Sequence, residues 1–62
     1  MIIKSIIGKW NNKYTVFMNK DKKKDKVFWT VESDGKVHNT FESSESFGHW
    51  IFHSGFIPKM AK

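Results

Sequence analysis

The 62-residue sequence contains no cysteine, which excludes a disulfide framework and a zinc site with thiolate ligands. It also lacks arginine, because all eleven basic residues are lysine. Lysine offers phosphate a point charge but not the planar fork that reads guanine edges, so sequence-specific base readout is disfavoured. No apolar run approaches the roughly 20 residues of a membrane span, and the first ten residues are too interrupted for a signal peptide. We therefore expect a cytoplasmic protein without a membrane partner.

The short length predicts one small β-rich domain over residues 1–62, ending in the basic tail "KMAK". A chain of this size buries only about 60% of its unfolded surface, so its core must be efficient. Ten aromatic residues supply the area for such a core. A folded monomer and a homodimer are both compatible with this composition.

Strand patterns dominate the first two thirds of the chain. Strands are predicted at residues 2–7, with a possible extension to Trp10, and in "KYTVFMN", "KVFWTVES" and "KVHNTF". Asp34 and Gly35 form a favoured centre for a type I′ turn, which indicates a tight hairpin between the last two. The returning arm is expected to place Val37, Asn39 and Phe41 on one face, and His38 and Thr40 on the other.

The segment "ESSESFGHWIFHSG", residues 42–55, loses the alternation and predicts a short helix. Ser43 or Ser44 is expected to cap its start, and Gly55 to end it in a left-handed conformation. The i, i+3, i+4 spacing predicts a buried face of Phe47, Trp50 and Ile51. Gly48 in mid-helix suggests a close approach of helix to sheet. The predicted fold class is α+β: an antiparallel meander of three or four strands packed against one C-terminal helix.

Catalytic and metal-binding patterns are weak. His49 and His53 stand one helical turn apart and His38 is a possible third ligand, but no cysteine or well-placed carboxylate completes a zinc site. The serines cluster where helix capping explains them, and the aromatic core leaves little room for a substrate cavity. We therefore expect no catalytic residue, no metal and no cofactor, and place both helix histidines on the exposed side.

Positive charge is concentrated in the first half of the chain. Residues 1–31 carry eight lysines against two aspartates, whereas residues 32–62 carry three lysines against four acidic residues. The run "NKDKKKDK", residues 19–26, contains five of these lysines and joins the second and third predicted strands. It is either a solvated loop or, with Lys4, Lys9 and Lys13, part of one continuous basic surface that binds phosphate in a salt-sensitive manner.

Two aromatic residues extend this candidate surface. The alternation assigns an inner face to Tyr14, Val16, Val27, Trp29 and Val31. Phe17 and Phe28 are then left outside, beside the lysine-bearing turns, unless the first strand, the tail or a second subunit covers them. Rings among lysines form a platform for single-stranded nucleic acid. The candidate binding residues are therefore Lys9, Lys13, Lys20, Lys22, Lys23, Lys24, Lys26, Phe17 and Phe28.

These features predict a binding module, with two kinds of partner left open. Nucleic acid, bound with little sequence preference, is favoured, and the alternative is an inhibitor or adaptor that docks on an acidic surface of a host protein. The order of strand, strand, "DG" hairpin, strand and helix over residues 13–55 resembles the arm domains of tyrosine integrases. That resemblance implies DNA contact through the sheet. The lysine- and asparagine-rich composition resembles small phage accessory proteins that disable host enzymes, which implies the alternative.

Overall fold

A computed structural model describes residues 1–57 as a four-stranded antiparallel sheet followed by one helix. The elements are β1 (Ile2–Trp10), β2 (Tyr14–Asp21), β3 (Lys26–Ser33), β4 (Lys36–Phe41) and α1 (Ser44–Ser54). The strands lie in chain order, so that β1 and β4 are the edges. The predicted α+β meander with one C-terminal helix is confirmed, with four strands. The predicted basic tail, residues 59–62, lies outside the described residues.

Two tight turns close the sheet at one end. Asn11 and Asn12 have φ of 54° and 55°, and the amide of Lys13 donates to the carbonyl of Trp10 at 3.2 Å. At the β3–β4 turn, φ is 54° at Asp34 and 74° at Gly35. Positive φ at both central positions matches the right-handed twist of paired strands, which explains why Asn-Asn and Asp-Gly stand there.

A bulge in the β3–β4 pairing corrects the predicted faces of β4. Val37 pairs with Glu32 while Asn39 pairs with Val31, so His38 is an extra residue between them. The expectation that Val37 shares a face with Asn39 and Phe41, and His38 the other face, is therefore wrong. A bulged strand places two residues opposite one partner residue, and strict alternation along the sequence does not reveal this.

The helix is capped as the sequence predicts. The Ser43 hydroxyl accepts a hydrogen bond from the amide of Ser46 at 3.1 Å. Gly55 ends the helix with φ of 81°, and its amide donates to the carbonyl of Ile51 at 3.2 Å. The close approach expected at Gly48 is wrong, because this residue is exposed and a Cβ built on it would meet nothing within 4 Å.

The core lies between one face of the sheet and the helix. Val16 and Val31 are the buried centre of the sheet, and Phe47 of the helix lies over them. The Trp29 ring stacks on Phe47 at 5.1 Å with an interplanar angle of 7°. Tyr14 also packs against this cluster, so four of the five predicted inner residues contact the core, whereas Val27 borders the hollow described below.

Phe56 completes the core, although the sequence patterns did not single it out. It is 3% exposed and its ring centre lies 5.5 Å from that of Trp50. Its amide donates to the Ser54 hydroxyl at 3.2 Å. The signal was its position directly after Gly55, because the residue after a capping glycine commonly folds back onto the last helical turn.

Candidate nucleic-acid interface

The β2–β3 loop, residues 22–25, is folded by its own acidic residues. One carboxylate oxygen of Asp21 accepts hydrogen bonds from the amides of Lys23 at 3.1 Å and Lys24 at 3.3 Å. Asp25 takes a left-handed conformation with φ of 53°, which aspartate tolerates better than most residues. The aspartates within the lysine run therefore build the turn, and the loop lysine side chains project into solvent.

The loop lysines carry free charge within the described part of the chain. Among residues 1–57 the only ion pair joins Lys4 and Glu32, at 2.8 Å. Lys22, Lys23 and Lys24 are exposed, and Lys26 stands opposite Asp21 where β3 begins. We call these four residues the basic loop. None of these four lysines forms an ion pair among residues 1–57, and all four lie in or beside one loop, an arrangement that attracts phosphate.

A hollow of about 500 Å³ opens beside the basic loop. It is lined by Asp21, Lys24, Lys26, Val27, Phe28, Thr40 and Glu42. Phe28 and Thr40 alternate along their strands with Trp29 and Phe41, whose rings contact the helix residue Phe47. The hollow is therefore on the outer face of the sheet, opposite the helix, with one aromatic ring between lysines.

The predicted continuous basic surface separates into two groups. Lys9 pairs with Thr15 at the end of the sheet that carries the tight turns, and Lys13 lies in one of those turns. The basic loop lies at the other end, beyond Asp21 of β2. The seven residues from Thr15 to Asp21 span roughly 20 Å of extended strand. Lys9 and Lys13 are therefore too far from the basic loop to belong to the same charged surface.

The other predicted residues are also divided. Lys20 alternates with Asn19 and Asp21, so it leaves the sheet on the helix side, away from the hollow. Phe17 is on the outer face as predicted, but at mid-strand, where the Lys4 ammonium lies 4.6 Å from its ring centre. Of the two predicted outer aromatics, Phe28 alone lies beside the basic loop.

A polar network covers the middle of the outer face. The side-chain amide of Asn19 donates to the Thr30 hydroxyl at 3.1 Å, and that hydroxyl donates to the Glu32 carboxylate at 2.9 Å. Asn19 is 2% exposed and Thr30 5% exposed, so these bonds are shielded from water. Lys4, which donates to Glu32, holds the pKa of that carboxyl below its usual range, helped by the Thr30 hydroxyl and opposed by desolvation.

This network was missed from the sequence, although alternation does place Asn19, Thr30 and Glu32 on the same face. Its members satisfy one another, because no buried side-chain nitrogen or oxygen among the described residues lacks a partner. We therefore assign the network to stability, which leaves the hollow as the candidate site.

The histidines do not form a three-residue group. His49 and His53 are exposed, with ring centres 4.3 Å apart, whereas His38 packs its ring edge against Tyr14 at 5.1 Å. Over residues 1–57 no three histidine, cysteine or acidic side chains come together as metal ligands. In the same part of the chain, the helix is not long or apolar enough to cross a bilayer.

Comparison of the chain with models of protein families, with curated proteins and with solved structures finds no match. The DNA contact implied by the resemblance to integrase arm domains stays a prediction. What the chain binds is therefore inferred from its own surface.

Proposed function

We propose that this protein binds single-stranded nucleic acid at the basic loop and the adjoining hollow, without catalysing a reaction. The observation that supports this function is the position of Phe28 in the hollow, between lysines that have no carboxylate partner among residues 1–57. A base stacked on an aromatic ring contributes about 1–3 kcal/mol, and neighbouring lysines attract the flanking phosphates. We place this binding in the cytoplasm.

The size of the hollow favours a single strand over a duplex. About 500 Å³ of open space admits one base against the Phe28 ring. A base must leave its stack to reach such a ring, which costs a few kcal/mol in a duplex and little in a single strand. The expected ligand is therefore a flexible strand that places one base in the hollow and several phosphates along the loop.

The test is a salt titration with two matched triple variants. We expect wild-type protein to bind a labelled 12-nucleotide single strand at about 50 mM salt and to lose affinity steeply as salt rises. Lys22→Ala/Lys23→Ala/Lys24→Ala is expected to lower the slope of log affinity against log salt by about 2, at roughly 0.7 per phosphate contact. Lys9→Ala/Lys13→Ala/Lys36→Ala removes the same charge from the opposite end and is expected to leave the slope nearly unchanged.

The proposal fails if the wild-type protein does not bind at about 50 mM salt. It also fails if the two triple variants reduce the slope equally, because binding then follows net charge and has no preferred site. Phe28→Leu separates stacking from charge: we expect weaker binding with an unchanged salt slope. Circular dichroism spectra of all variants check that the fold persists.

A second function is favoured by the exposed edge strand. Ile2 is 54% exposed and Ile6 is 71% exposed on the outer face of β1, whose outer edge has no partner strand among residues 1–57. An extended segment of an acidic protein can pair with such an edge as an additional strand, and inhibitors or adaptors dock in this way. This function predicts a protein ligand that the wild type retains after nuclease treatment and that Ile6→Asp loses.

A further inference from the structure

Phosphate binding and stacking leave one feature of the hollow unused: its wall contains two carboxylates, Asp21 and Glu42. Because negative charge opposes phosphate binding, each carboxylate must have a different role. Asp21 has one, because it accepts the loop amides. The Glu42 side chain forms no hydrogen bond or ion pair with residues 1–57. Its carboxylate oxygens are free to accept from a ligand.

The backbone fixes the position of Glu42. It lies between Phe41, the last residue of β4, and Ser43, the cap of the helix. The Phe41 ring packs against Phe47 and Trp50, at 5.7 and 5.5 Å, and Ser43 holds the first helical turn. Both neighbours are anchored, so the Glu42 backbone is held at the rim of the hollow, which Glu42 helps to line.

The chemistry of a free carboxylate selects among bases. An ionised carboxylate only accepts hydrogen bonds, and its two oxygens can take two parallel donors. Guanine presents two adjacent donors, N1–H and the N2 amino group, on its Watson–Crick edge. Cytosine and adenine each present one amino group, while thymine and uracil present one N–H between two carbonyl oxygens. A single strand leaves this edge free.

We infer that the hollow prefers guanine, stacked on Phe28, with its Watson–Crick edge donating to Glu42. The inference rests on the proposed function and names the base that the site favours. A bidentate side-chain contact discriminates between bases by about fivefold or more, and the open side of this hollow places the expected preference near that lower value. The base preference thus comes from a carboxylate and not from arginine, which the sequence lacks.

The experiment uses labelled 12-nucleotide thymidine strands that carry one central guanine, hypoxanthine, adenine or cytosine. At about 50 mM salt we expect the guanine strand to bind roughly fivefold tighter than the all-thymine strand. Hypoxanthine lacks the N2 amino group and is expected to fall to the level of adenine and cytosine. In Glu42→Gln, we expect the guanine strand to bind no tighter than the all-thymine strand. The all-thymine strand is expected to bind this variant slightly tighter than it binds the wild type, because a negative charge near the phosphates is lost.

The matched control is Glu45→Gln, which removes the same charge from the first turn of the helix, where the side chain does not line the hollow. It is expected to keep the guanine preference. Equal binding of all strands by the wild type overturns the inference and leaves the proposed function standing. A preference that survives in Glu42→Gln also overturns it. No binding to any strand refutes the proposed function, and the inference with it.

Discussion

The two faces of the sheet are stabilised by different kinds of interaction. On the helix side, Trp10, Trp29, Phe41, Phe47, Trp50 and Phe56 form a cluster of aromatic rings around two buried valines. On the outer side, the most buried residues are Asn19 and Thr30, and a chain of hydrogen bonds ends at the Lys4–Glu32 ion pair. Apolar burial drives folding, whereas hydrogen bonds of this kind each add a modest net amount.

This difference shows how a very short chain folds and still leaves one face of its sheet without a covering helix. The aromatic face supplies most of the favourable free energy, since each ring buries a large apolar area. The outer face needs only to satisfy its polar groups, so it can present a hollow and charged side chains without a covering layer. Perturbing each face separately therefore gives effects of different size.

The largest effect is expected from Trp50→Ala, which removes the ring that joins the helix to Trp10 and Phe41, at 5.3 and 5.5 Å. Such a truncation costs about 3–5 kcal/mol, which is comparable to the whole stability of a domain of this size. We expect an unfolded protein by far-ultraviolet circular dichroism. Phe52→Ala, at a neighbouring helix residue that is 83% exposed, is the control and is expected to stay folded. A well-folded Trp50→Ala would contradict the helix-on-sheet core.

A smaller effect is expected on the outer face from Thr30→Val. Valine keeps the shape of threonine but removes the hydroxyl that accepts from Asn19 and donates to Glu32. Leaving a buried amide partly unsatisfied costs about 1–2 kcal/mol, measured as a lower urea midpoint. Thr40→Val is the control, because Thr40 pairs directly with Thr30 across the strands but is exposed. Equal effects of the two variants would show that the network contributes nothing.

Local patterns predicted most of the fold because local residues determine it. The Asp-Gly turn, the serine cap and the glycine at the helix end each act within a few residues of chain. The faces of β4 were predicted wrongly because a bulge depends on how two strands pair, and nothing within Val37 and His38 encodes that pairing.

The candidate site was predictable only in part. Alternation correctly placed Phe28 on the outer face, near the lysine run. The sequence did not show that β2 separates Lys9 and Lys13 from the basic loop, because lysines close along the chain can lie at opposite ends of a hairpin. The predicted hairpin implies that the end of β4 lies beside the start of β3, but it did not show that a hollow opens there with Glu42 in its wall.

The smallest expected effect distinguishes the two faces by pH. The lowered pKa of Glu32 means that its ionised form stabilises the fold at neutral pH. This stability is lost as pH falls below the ordinary value of 4.5 and through the lowered folded value, because the unfolded state takes up the proton first. The Lys4 side chain is 46% exposed, so screening by water limits the contribution to about 0.5 kcal/mol.

The measurement compares urea midpoints of the wild type and Glu32→Gln between pH 3 and pH 7. Glutamine still accepts from Thr30, so the difference isolates the charge that faces Lys4. We expect the wild type to be more stable at pH 7 and this advantage to vanish at the acidic end. An advantage that persists at pH 3 would mean that Glu32 acts through packing and not through its charge, and the outer face would then resemble the inner one.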